Sequence, residues 1–393
     1  MPRWLRADVE QRADVISGFR DLSELGDQRA SRDQVNVKTI MDRHDGVGPG
    51  FDSLRLGLAF SVLLIHSFTV AQYDQGLSLR LWNGPLRPLL LAILPMFFGL
   101  SGFLVTGSAM RTRSMKAFLA LRLLRLLPAL SVEVTLSALI LGPLLTVLPL
   151  RLYFTDPLFF AYFGNIIGHV QFFLPGLFAT APMAGVVNLN LWTLTPEYCC
   201  YGFMLFLMAS SALFDRQKMT IIAGIVLGIL GVGNSLFDLA ETDTMYGAPV
   251  LLMSFTMGIV AYQWRERIPV HGGVFAAAAV ALYGAWSFRG TAVLGLIPLT
   301  YCMAYLGVQP LPRSKLLSQG DYSYGIYLYG FPIQQALVFL FPALKIWWAL
   351  FSVAALVALA IAMASWHFVE RPALSLKRIV TGRREAVLDR LEP

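Results

Sequence analysis

Ten apolar stretches recur along the chain, each near the ~20 residues that cross a ~30 Å hydrocarbon core. They run at roughly 53–72, 88–108, 129–149, 197–214, 219–237, 246–264, 272–288, 291–307, 323–342 and 346–369. No soluble core absorbs that load. Of 393 residues, 56% are hydrophobic and 14% charged, where a soluble chain carries about a quarter charged; the mean hydropathy is +0.62. The expected fold is an all-α integral membrane protein with about ten transmembrane helices in one bundle. Residues 1–50 and 373–393 are expected as cytoplasmic tails around a membrane domain over 51–372. The apolar but Pro- and Gly-broken segment 152–187 has room for a re-entrant or interfacial helix.

A net charge of +7 in a soluble protein would raise the question of nucleic acid; here it sorts by topology, because cytoplasmic loops collect Lys and Arg. With the N-terminus inside, the inner connections and the C-terminal tail hold seventeen basic residues, among them Arg111, Arg113, Lys116, Arg122 and Arg125. The outer connections hold five, Arg80, Arg87, Arg151, Arg289 and Lys345. Both termini are therefore expected inside, and no nucleic-acid partner is expected. Cys199, Cys200 and Cys302 form no C-x-x-C pair, so free thiols are expected, with no metal site. The first thirty residues lack the pattern of a secretory signal. They alternate apolar and charged residues in a way that suits a surface amphipathic helix or a disordered tail, and Met41 is an alternative start. The outer connection 150–196 is too greasy for a linker and is expected to pack at the outer membrane surface over a cavity. Neither an internal repeat nor a Gly-rich phosphate loop is found.

Ionisable groups at membrane depth are costly and so are functional candidates. His66 lies eleven residues beyond Arg55, about 16 Å along a helix, in the outer half of the bilayer. A histidine there suits proton transfer near neutral pH; its plainer role is packing against a carbonyl or hydroxyl. Glu197 follows Pro196 at the expected outer start of a helix, where a carboxylate either favours the helix dipole or orients His66 or an acceptor hydroxyl. Glu133 is expected to pair with a neighbouring arginine, Glu370 to form a structural ion pair, and Asp321 to cap a helix. Arg122 and Arg125 share a helix face and serve either as juxtamembrane anchors or as a phosphate clamp. Gly99, Ser101 and Gly102 let helices approach closely, or leave room for a narrow substrate arm.

In order along 51–372 these residues resemble the acyltransferase 3 family of multi-spanning membrane O-acyltransferases. The resemblance is carried by Phe51-Asp52-Ser53-Leu54-Arg55 with His66, by Phe97 to Leu104, and by Arg122 and Arg125 before Pro128. It continues through Trp192, Thr193, Leu194, Glu197 and Tyr201, through Gly320 to Leu328 with Phe331-Pro332, and through Glu370 with Pro372. It implies transfer of an acyl group, usually acetyl, from cytoplasmic acyl-coenzyme A to hydroxyls of an envelope or secreted carbohydrate such as O-antigen, lipopolysaccharide, exopolysaccharide or an oligosaccharide. A bacterial inner-membrane location follows, with membrane lipid around the domain. It implies that His66 is catalytic with Glu197, that Arg55, Arg122, Arg125, Ser101 and Gly102 bind the acyl donor, and that no cofactor stays bound. Many members carry a histidine where this chain has Gly330, which favours a single base. The rival readings are a glycan or lipid-linked sugar transporter or flippase, which predicts repeats, and a scaffold with a degenerate site.

Overall fold

In hydrocarbon a backbone has no partner but itself, so apolar runs coil into helices. The computed structural model describes residues 35–71, 76–237, 247–312 and 319–377. It is helical, and among the described residues the extended pairings are the isolated bridges Asn36–Pro269, Thr146–Leu177 and Phe173–Val186. The expected N-terminal amphipathic or disordered segment lies mostly outside the described residues, as do Arg313, Lys315 and the C-terminal tail from 378.

A short helix α1 (Val37–Asp42) precedes α2 (Phe51–Ala71), α3 (Leu77–Trp82) and α4 (Arg87–Thr112). Then α5 (Met115–Leu136) continues through a widened π turn, Ser137–Leu141, into Gly142–Leu145. Short helices α6 (Leu150–Thr155) and α7 (Pro157–Tyr162) follow. Next come α8 (Leu194–Ala209), α9 (Arg216–Phe237), α10 (Ala248–Gln263), α11 (Gly272–Trp286) and α12 (Leu296–Gly307). Last are α13 (Ser323–Leu340) and α14 (Trp347–Ser365), the latter running through a π turn, Trp366–Glu370, into Arg371–Ser375.

A helix stands at each of the ten expected places. Among the described residues five of these runs are long and apolar enough to cross a membrane, 51–71, 87–112, 115–145, 216–233 and 347–375, and several of the others are shorter. The protein is thus an all-helical membrane protein. The third stretch, expected at 129–149, begins instead at Met115, where Ser114 accepts a hydrogen bond from the Ala117 amide and caps the helix. Arg122 and Arg125 therefore lie inside a long helix rather than ahead of one. Residues 36–42, expected within a tail, are packed: Val37 and Met41 are buried, and the Val37 amide donates to the Ile268 carbonyl.

Two groups of helices frame the interior. The most extensive contact is α4 against α10, and glycines make it possible. A Cβ at Gly102 would overlap the Phe255 carbonyl oxygen, and one at Gly258 the Gly99 carbonyl oxygen. In the second group α13 lies on α2 and α14. Between the groups, α5 carries the polar residues that meet both. The connection after α5 is packed against that helix: Tyr153, Tyr162, Phe178, Val187 and Leu191 join Leu130 and Val134 of α5 in one apolar cluster. Tyr153 donates its hydroxyl to the Ala138 carbonyl in the π turn.

Candidate active site

Two cavities stack along α4. The larger, about 170 Å³, is lined by Leu94, Phe97, Ser101 and Leu104 of α4, with Arg55, Arg122, Arg125, Glu197, Tyr201 and Tyr327 among the groups around it. The smaller, about 60 Å³, holds His66 with Val62, Leu90, Leu91, Trp82, Leu189 and Trp192. Leu94, Asn190 and Tyr327 line both and form the wall between them. The α4 residues lining the pair run from Leu90 to Val105, about 22 Å of helix.

The arginine end of the large cavity is built from ion pairs. Arg55 Nη1 lies 2.5 Å from Asp321 Oδ2, and Arg55 Nη2 lies 3.0 Å from Asp52 Oδ1. Arg125 reaches the same Asp321 oxygen at 2.6 Å and Glu370 Oε2 at 3.2 Å. The π turn at the end of α14 carries Glu370 to its site, where it is 1% exposed and accepts from Ser365 Oγ at 3.1 Å. Glu370 thus forms the expected ion pair. Asp321 exceeds its expected role: it accepts from Ser323 Oγ at 2.5 Å and also joins two arginines. Burial alone would raise its carboxyl, but Arg125 and Arg55 outweigh that and hold it below the usual carboxylate range.

Arg122 differs from Arg125. It stacks its guanidinium 6.0 Å from the Phe118 ring centroid and makes a long 3.5 Å contact to Ser108 Oγ, while its Nε is buried without a hydrogen-bond partner. Of the two expected clamp arginines, Arg122 keeps donor capacity for a ligand in the cavity and Arg125 spends its own on carboxylates.

Several expected groupings are redrawn. Glu197 shares the cavity of Arg122 and Arg125 rather than sitting at an outer surface beside His66, and it accepts from Tyr201 Oη at 2.5 Å. The connection turns inward at Leu189–Thr193, so α8 starts inside the bundle with Leu191, Thr193 and Leu194 on the cavity wall. Ser101 lines the cavity, but Gly102 packs against Phe255 of α10 and does not. Glu133 pairs with no arginine among the described residues; Ser137 Oγ and Asn188 Nδ2 each donate to its Oε1 at 3.0 Å. His66 meets the Phe331 ring edge-on at 5.0 Å between centroids, and its Nδ1 is buried without a partner. At Gly330 a Cβ would come 2.8 Å from Leu63 Cδ1, so a larger side chain there requires the Leu63 side chain to shift.

Asn190 and Tyr327 were not singled out as site residues by the sequence reading. Asn190 Nδ2 donates to the Tyr327 carbonyl at 2.5 Å, and the Tyr327 and Thr193 hydroxyls share a hydrogen bond of 2.8 Å. The signal for Tyr327 was its place in the Gly320–Leu328 motif; Asn190, two residues before Trp192, carried none.

An acyltransferase domain profile matches residues 49–367, covering both cavities and the ion-pair network except Glu370. The chain belongs to the acyltransferase 3 family. As a member of this family it is a membrane acyltransferase. It is similar to a protein named Nodulation protein 10 from Rhizobium leguminosarum bv. viciae, 28% identical over 363 residues, 86% of this chain and 96% of that protein. It is also similar to a protein named O-acetyl transferase from Shigella phage Sf6, 24% identical over 355 residues, 82% of this chain and 94% of that one. No solved structure matches.

Proposed function

We propose that this acyltransferase moves an acetyl group from cytoplasmic acyl-coenzyme A to a hydroxyl of an envelope or secreted carbohydrate, from a bacterial inner membrane with both termini inside. The observation that carries the reading is the stacking of an arginine-lined cavity on a separate histidine pocket, with one wall of Leu94, Asn190 and Tyr327 between them. A donor with a phosphate-rich head and a long thin arm fits that plan. Guanidinium groups match phosphate oxygens, and Arg122 has donor capacity to offer; Arg55 and Arg125 add positive potential through their carboxylate-tied network. The arm then runs along Ser101 toward His66. The histidine pocket is small and apolar, about 60 Å³, which suits a two-carbon acyl group. The O-acetyl transferase name of one relative agrees with that size.

In this account His66 takes the proton of the acceptor hydroxyl as its oxygen bonds to the thioester carbonyl carbon. The carbon–sulfur bond breaks, and the departing coenzyme A thiolate receives the proton from His66. Such general-base help is worth typically 10²–10⁴-fold. With Gly330 in place of a second histidine, one base serves both proton transfers. Glu197, hydrogen-bonded to Tyr201 beside Arg122, acts on the donor side by holding the cavity's charge balance.

Sidedness tests the reading. Membrane vesicles carrying the protein and its host glycan acceptor are given acetyl-labelled coenzyme A from one side only. Label is expected in carbohydrate when the donor meets the cytoplasmic face, as in inverted vesicles. Equal labelling from right-side-out sealed vesicles would overturn the donor route.

A further inference from the structure

We propose that Glu133 is a positioning residue for the wall between the two cavities, an inference that rests on the acyl-transfer reading above. Glu133 lies eight residues beyond Arg125 on α5, about 12 Å further along the helix, and touches neither cavity. It is 1% exposed, and a carboxyl group at that depth is costly to bury. An apolar residue would carry no such cost, so the carboxyl has a task that packing does not supply: Oε1 takes two hydrogen bonds, while Oε2 is buried without a partner.

The hydrogen bonds trace that work to the site. Glu133 Oε1 accepts from Asn188 Nδ2 at 3.0 Å, and the same nitrogen donates to the Leu328 carbonyl on α13 at 2.9 Å. Asn188 Oδ1 in turn accepts from the Asn190 amide at 3.1 Å. Asn190 then holds the Tyr327 carbonyl through its own side chain at 2.5 Å, and its carbonyl accepts from Thr193 Oγ1 at 2.9 Å. Asn190 and Tyr327 are two of the three residues shared by both cavities. The path from Glu133 to the wall thus runs through the side chains of Asn188 and Asn190; three of its bonds tie the inward-turning segment 188–193 to α5 or α13, and two hold the segment's own turn. Ser137 Oγ, in the π turn, donates to the same Oε1 at 3.0 Å and holds it toward Asn188.

The requirement on residue 133 is an acceptor of the right reach, aimed at Asn188. Glutamine supplies one and leucine does not. A misplacement of about 1 Å in a reacting geometry can cost on the order of 10²-fold in rate. With acetyl-coenzyme A and host glycan in membranes, Glu133→Leu is expected to lower kcat by roughly 10- to 100-fold and to leave KM for acetyl-coenzyme A near its original value. Glu133→Gln is expected to stay close to wild type. Asn188→Asp sets two carboxyl groups against each other, removes the donor to the Leu328 carbonyl and is expected to lose activity; adding Glu133→Gln restores the donor–acceptor pair with residue 133, though not the Leu328 bond, and is expected to recover part of the activity. A Leu variant with wild-type kcat, a Gln variant as slow as Leu, or a double variant no better than Asn188→Asp alone would each overturn the proposal. Hydrogen exchange over residues 188–194 of the purified full-length protein gives an outcome independent of catalysis, and the rescued Asn188→Asp pair can be measured even where Glu133→Leu does not fold. Faster exchange in Asn188→Asp, reversed by Glu133→Gln, is expected; unchanged exchange contradicts the proposal. Wild-type protein that transfers no acetyl group at all would refute the functional reading, while the exchange result would still decide the role of Glu133.

Discussion

Arg122 and Arg125 are three residues apart on one helix and differ in the company they keep. Arg125 is held by Asp321 and Glu370; removing one partner of such a buried network leaves an uncompensated charge and costs ~3–5 kcal/mol. Arg122 has Phe118 and a long contact to Ser108. Arg125→Ala is therefore expected to lower the thermal midpoint of the solubilised protein strongly. Arg122→Ala is expected to leave that midpoint nearly unchanged and to raise KM for acetyl-coenzyme A about tenfold or more, the worth of one hydrogen bond to a charged group. Steady-state kinetics beside thermal melts separates the two. Asp321 adds a pH signature. Its folded-state carboxyl lies below the usual 3.8, so its stabilisation is complete above that pH and is lost as pH falls below it. Thermal midpoints taken between neutral pH and pH ~3 are expected to fall more steeply for wild type than for Asp321→Asn. The residue types of this network were readable in advance, and so was the pairing of Glu370. The partition of tasks between Arg122 and Arg125 was not, because one-dimensional spacing places both on one face and only the neighbouring helices decide which meets a carboxylate.

At the scale of helices, the Phe97–Leu104 run shows what small residues do. Gly99 and Gly102 turn toward α10, where Gly258 answers them, and Ser101 turns toward the cavity. Close approach is thus the task of one face of the helix, while another face lines the cavity. Gly102→Ala is expected to destabilise by about 1–3 kcal/mol through overpacking, because the obstacle is the Phe255 backbone and not a flexible side chain. Denaturation of the solubilised protein measures it, and Gly57→Ala, a site with open space around it, is the control that should change little. Helix positions were legible because long apolar runs have a single solution in lipid. The inward turn at Leu189–Thr193 was not legible. It depends on Asn188 and Asn190 bonding to α5 and α13, contacts across 55 to 140 residues of chain that no local pattern announces. That turn is what moves Glu197 from an expected outer surface to the arginine cavity.

Across the whole molecule the division of labour follows the long axis of α2 and α4. Arg55 stands at one end of α2 with the ion-pair network, and His66 stands eleven residues on in its own pocket. This separation was visible in the sequence as a spacing, and the family resemblance supplied its meaning. The wall between the two cavities was not visible, since Leu94, Asn190 and Tyr327 come from three distant parts of the chain. The central claim is that His66 performs acyl transfer to carbohydrate. Mass spectrometry of surface and secreted glycans tests it most directly, in cells lacking the gene and in the same cells complemented with wild type or His66→Ala. An acetyl-sized mass is expected to be lost on deletion, restored by wild type and not restored by His66→Ala present at equal amount in the membrane. Full restoration by His66→Ala, or a change in glycan amount or location with no change in acylation, would contradict that claim.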